Sequence, residues 1–98
     1  MLYVFDTPSD VAIKIAQKLK SIRKRRKITQ KQLAARSNVS YATLRKFEKT
    51  GQISFESFIK ISMELGLLNE LNNLFSVPTY NSIEEVVNEQ KQNTRRIL

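Results

Sequence analysis

Two short stretches of this chain, 29–36 and 40–48, each open on a hydroxyl residue suited to capping a helix, and only about three residues separate them. Thr29-Gln30-Lys31-Gln32 fits a capping box, in which the threonine side chain takes an orphan amide and Gln32 reaches back to the threonine N–H. Leu33 and Ala34 then face inward, and the helix ends near Arg36-Ser37. Asn38 stands where a glycine would be usual and tolerates the left-handed backbone that such a turn needs. Val39 plugs the corner, and Ser40 caps a further helix whose inner side carries Leu44 and Phe47.

The rest of the chain supplies helices to flank that pair. Thr7-Pro8 reads as a helix start, with threonine as cap and proline at the first helical position. From there Val11, Ile15, Leu19 and Ile22 recur at helical spacing to about Arg26, and Ile28 follows as a buried link. Thr50-Gly51-Gln52 is a turn. Ser54 caps a fourth helix carrying Phe55, Phe58, Ile59, Ser62 and Leu65, which Gly66 ends. Leu67 to Phe75 forms a fifth, short helix. Val77-Pro78-Thr79-Tyr80 is a break, and Asn81 or Ser82 starts a last helix to about Gln92 with Ile83, Val86 and Val87 apolar. Phe47, Phe55 and Phe58 are expected in the core. With only two glycines and two prolines in 98 residues, short connections between helices are expected throughout. The expected fold is all-α: a five-helix domain over 1–76, followed by a partly helical tail over 77–98.

The excess positive charge is confined to one part of the chain. Residues 11–47 hold twelve Lys or Arg and no acid, whereas residues 1–10 hold two acids and residues 48–98 five bases and seven acids. The net charge of +8 therefore comes from the segment containing the helix pair. A polyanion is the expected partner of such a segment, against the plainer alternative of a solvated basic face. Other classes are disfavoured. The chain lacks Cys and His, so disulfides, thiolate metal sites and the usual general base are missing. No catalytic residues, metal or cofactor are expected. The longest apolar runs fall far short of the roughly 20 residues that span a bilayer. The start Met-Leu-Tyr-Val-Phe-Asp has no basic stretch before an apolar one, so no signal peptide is expected and a cytoplasmic location follows.

A helix pair so closely joined lets the second helix enter the DNA major groove while the first crosses the backbone. The stretch LKSIRKRRKITQKQLAARSNVSYATLRKFEKTGQISFESFIKISMELGL, residues 19–67, resembles the lambda-repressor-like, or XRE, family of regulators. The likeness runs through Leu19, Ile22, Arg23, Thr29-Gln30, Leu33-Ala34, Val39-Ser40, Thr43-Leu44, Phe47-Glu48, Gly51, Ile61 and Leu65-Gly66. It departs at Asn38, where the family has glycine, and in the loop before Ser54, which is about one residue short. The resemblance implies binding of double-stranded DNA. It also implies that Gln30 touches a phosphate and that Arg23 and Glu48 form a structural pair. On the outward start of the third helix, Arg45 can make a bidentate contact to guanine O6 and N7, while Tyr41 and Ala42 can meet a base or a thymine methyl. Thr29, Lys31, Ser40, Thr43 and Lys46 are expected at phosphates beside Gln30. In the Lys24-Arg25-Arg26-Lys27 run one or two contacts are expected, because consecutive helix residues diverge.

A narrower resemblance is carried by LRKFEKTGQISFESFIKI, the LNNLF end of the fifth helix and a basic Arg-Arg-aliphatic tail. These look like small HipB-like antitoxins, which implies a HipA-type kinase toxin as partner. One recognition helix reads too few base pairs to find a site in a genome, so a homodimer is expected. Leu67, Leu68, Leu71, Leu74 and Phe75 are its expected interface, with the tail as a second candidate surface. The functions in view are a dimeric, sequence-specific repressor, with a prophage repressor as its variant. The rival class is a protein-binding module that neutralises a toxin or other partner, with DNA binding secondary.

Overall fold

The computed structural model describes residues 6–76, and all regular structure among them is helical. The helices are α1 (Pro8–Arg25), α2 (Gln30–Ser37), α3 (Tyr41–Thr50), α4 (Phe55–Glu64) and α5 (Leu68–Asn72). No helix among the described residues is long and apolar enough to cross a membrane. The expected last helix near 81–92 and its Ile83, Val86 and Val87 lie outside the described residues.

Side-chain caps open four of the five helices. Thr7 and Thr29 each form a full capping box, with Asp10 and Gln32 answering the backbone of the capping residue. Ser40 and Ser54 accept from the amides of Thr43 and Ser57. The Thr7 N–H, and then its hydroxyl, hold the Asp10 carboxyl below the ordinary aspartate value. Asn38 takes the left-handed conformation expected of it, with φ 59°. Lys27, in the turn between α1 and α2, does the same with φ 57°, which nothing in its residue type announces.

The core is built from α1 (Ala16, Leu19), α2 (Leu33, Ala34), Val39, α3 (Leu44, Phe47) and the α4 segment (Ile61, Leu65). Ile22, Ile28, Ile53, Phe58 and Leu67 pack on it from the margins, and Phe58 meets Phe47 edge to face. α1 lies against α3, α2 touches both α3 and α4, and α5 packs on α4.

Three expectations are corrected. The first concerns α1, whose inner stripe is Ala12, Ala16, Leu19 and Arg23, one residue out of phase with the expected one at its N-terminal end. Val11 and Ile15 are 43% and 38% exposed. The cause is close packing: a Cβ on Gly51 would come within 2.6 Å of the Ala12 carbonyl carbon, so only small residues fit where the end of α3 crosses α1. The second is Phe55, which is 72% exposed rather than core and stands as the first residue of α4, ahead of the buried Ile61 and Ser62. The fully buried apolar side chain of α4 is Ile61. The third is α5, which ends at Asn72 instead of reaching Phe75. Phe75 has a positive φ of 60°, incompatible with continued helix.

Candidate nucleic-acid interface

The site begins with the turn. Asn38 reverses the chain after α2, Val39 buries its side chain at the corner, and Ser40 starts α3. This fixes which side of α3 faces the core: Leu44, Phe47 and Glu48 point inward. Tyr41, Ala42, Arg45, Lys46 and Lys49 are left outward, an exposed face running the length of the helix.

A buried network holds that face in place. Arg23 of α1 donates to Glu48 from Nε (2.8 Å) and Nη2 (3.0 Å), a bidentate pair with both side chains buried. Its Nη1 donates to the Ile28 carbonyl at 2.8 Å. Glu48 Oε1 also accepts from Gln30 Nε2 at 2.9 Å. The Arg23–Glu48 pair thus joins α1, the α1–α2 turn, the start of α2 and α3. The pairing of Arg23 with Glu48 stands as the sequence suggests. The bond from Gln30 does not announce itself, since 18 residues separate it from Glu48. It leaves the second amide N–H of Gln30 able to donate outward, because an amide nitrogen carries two.

Beside this network lies an open groove of about 690 Å³, lined by Lys20, Gln30, Ala42, Arg45, Lys46, Glu48, Lys49 and Thr50. Glu48 is the one acid in the lining, and Arg23 neutralises it. The groove therefore presents lysine and arginine with no free carboxylate to oppose an anion.

The proposed contact residues fall into three groups. Gln30, Ala42, Arg45 and Lys46 share the groove. Lys31 and Tyr41 sit beside it, linked through the Tyr41 ring: Lys31 Nζ lies 5.6 Å and Arg45 Cζ 5.5 Å from its centroid. Thr29 and Ser40 are occupied as caps. The Ser40 hydroxyl donates to Thr43 Oγ1 at 2.7 Å, so Thr43 rather than Ser40 keeps a hydroxyl hydrogen for an outside acceptor. In the basic run, the Arg26 guanidinium lies against Gly66, where an added Cβ would meet it at 3.0 Å.

Sequence reasoning passed over Lys20 and Lys49. Lys49 was accessible from spacing alone, since Ala42, Arg45, Lys46 and Lys49 repeat at three and four residues. Lys20 was not, because its place in the groove depends on α1 packing across α3. Leu67 is half-buried against the core, while Leu68, Leu74 and Phe75 are exposed, Phe75 by 94%.

A family model described as helix-turn-helix matches residues 19–68, half of the chain, from the middle of α1 to the first residue of α5. No curated protein matches the chain.

Proposed function

The chain belongs to the helix-turn-helix family of the lambda-repressor, or XRE, type, and from that premise we propose that it is a dimeric, sequence-specific repressor that acts by covering a promoter. The observation that carries this reading is the grouping of Ala42, Arg45, Lys46 and Lys49 with Lys20 and Gln30 around one groove. A recognition helix placed in a major groove would bring Tyr41, Ala42 and Arg45 to base edges. Gln30, Lys31, Thr43, Lys46 and the newly added Lys20 and Lys49 would then flank the phosphates. Thr29 and Ser40 serve chiefly as caps in this scheme. Two-fold pairing through the exposed side chains of Leu68, Leu74 and Phe75, with Leu67 and Leu71 behind them, would set two recognition helices about 34–36 Å apart.

The test is selection of duplexes from a random library by the full chain, followed by a reporter whose promoter overlaps the selected site. Enrichment of a two-fold symmetric site and lowered transcription are expected. Raised transcription would overturn the repressor role. Sedimentation as a monomer at tens of micromolar, alone and on the selected duplex, would overturn the dimer.

A second reading rests on the LRKFEKTGQISFESFIKI string and its likeness to HipB-like antitoxins. In it the chain represses its own operon and binds a HipA-type kinase toxin. Co-expression with a HipA-type kinase from the same genome should restore growth and yield a complex that co-purifies. Unrelieved toxicity and separate elution would exclude it.

A further inference from the structure

We propose that the outer face of α3 reads a 5-methylpyrimidine followed by guanine, with Tyr41 as the residue that positions Arg45 for it. The inference rests on the DNA-binding reading above and narrows it to a base step.

Tyr41 is the first residue of α3, and Arg45 lies one turn later. The Arg45 guanidinium rests over the Tyr41 ring at 5.5 Å, drawn back toward the N-terminal end of the helix, the end that meets base edges in a major groove. Lys31 Nζ, at 5.6 Å, holds the same ring from α2. Among the described residues Arg45 has no hydrogen bond or ion pair to a protein group. Glu48, the acid in the same groove, is occupied by Arg23 and Gln30. Its donors are therefore uncommitted while its position is restrained, which lowers the ordering cost of binding.

A restrained arginine fork fits the O6 and N7 of guanine. The base on the 5′ side of that guanine then lies against the guanidinium and the neighbouring Tyr41 and Ala42. Those two residues are exposed and offer a ring and a methyl group. They offer no carboxylate for the cytosine amino group and no amide fork for adenine. A pyrimidine bearing a 5-methyl group, thymine or 5-methylcytosine, fills that apolar corner, whereas cytosine and uracil leave it empty.

The experiment uses the full chain. Sites are selected from a random duplex library, and anisotropy titrations then compare the selected duplex with versions carrying single changes at this step. A dT-dG step is expected in each half-site. Replacing that dT by dU should weaken binding about fourfold, the transfer value of one buried methyl group, and 5-methyl-dC should exceed dC by a similar factor. Replacing the guanine by 7-deaza-dG should weaken binding at least about fivefold, the lower bound for a bidentate contact. Tyr41→Leu should shrink both the 7-deaza and the dU penalties, while Tyr41→Phe, which keeps the ring, should preserve them. Circular dichroism checks that both variants remain folded. Equal affinity for dT and dU, or a selected guanine with no 5′ pyrimidine, overturns the inference; a persisting 7-deaza penalty then leaves base reading by Arg45 in place. Failure to enrich any sequence overturns the DNA-reading proposal and this inference with it.

Discussion

Glu48 is the residue on which the arrangement depends most. It is buried on the inner side of α3 and accepts three hydrogen bonds, two from Arg23 and one from Gln30. Removing one partner of a buried pair strands the other's charge, so Glu48→Ala should cost about 3–5 kcal/mol in urea unfolding. The double change Arg23→Met with Glu48→Leu should be close to neutral for stability, because both desolvated charges disappear together. It should still weaken DNA binding, since Gln30 loses the bond that orients it; unchanged affinity in the double variant would separate the network from the interface. Ser62 gives the opposite sign. Its hydroxyl is buried on α4 with no hydrogen-bond partner. Ser62→Ala removes the desolvated group with little change of volume and should raise stability by about 1 kcal/mol, read as a higher urea midpoint at unchanged slope.

Helix α3 determines how the site is presented, through its end and its outer face. The end of α3 is set by Gly51, whose φ of 79° and close approach to the Ala12–Ile13 backbone exclude a side chain. Gly51→Ala combines a left-handed penalty of about 1–2 kcal/mol with an overpacking cost of about 1–3 kcal/mol. Thermal unfolding should show a loss of about 2–5 kcal/mol, enough to threaten a domain this small. The outer face of α3 divides its labour along the helix. Arg45→Ala should cost about 1–3 kcal/mol on the selected duplex and relax the preference at one base pair per half-site. Lys46→Ala should instead weaken selected and random duplexes alike. Titrations of both variants on both duplexes decide the matter, and equal losses everywhere would mean that Arg45 is a phosphate contact.

Across the whole molecule the charge is sorted by function. The twelve bases of residues 11–47 include Lys20, Arg45 and Lys46 in the groove and Lys31 beside it, whereas Glu56 and Glu64 lie on α4 and Glu70 on α5. Arg23 belongs to the internal network and Arg26 to the Gly66 corner, so neither is available in full to DNA. Each phosphate neutralised contributes about −0.9 to the slope of log affinity against log salt. With Lys20, Lys31, Lys46 and Lys49 engaged, a slope of about −3 to −4 per domain is expected, doubling in a dimer. A salt titration of the full chain measures it, and a flat response would remove the electrostatic part of the interface.

The sequence by itself determined what depends on neighbours within one turn. The caps Thr7, Thr29, Ser40 and Ser54, the left-handed Asn38, the order of five helices and the outward spacing of Tyr41, Ala42 and Arg45 all follow from local hydrogen bonding and helical period. Tertiary structure decided what depends on residues far apart in the chain. The burial phase at the start of α1 was set by the approach of Gly51, which exposes Val11 and Ile15 although their spacing suits a core stripe. Phe55 is exposed although its type suits burial, because nothing in the described domain crosses the first residue of α4. Lys20 joins the groove, and Gln30 finds Glu48, only after α1, α2 and α3 have packed. Local signals specify dihedral angles and faces; which face is covered, and by what, is fixed only when separate helices compete for the same small core.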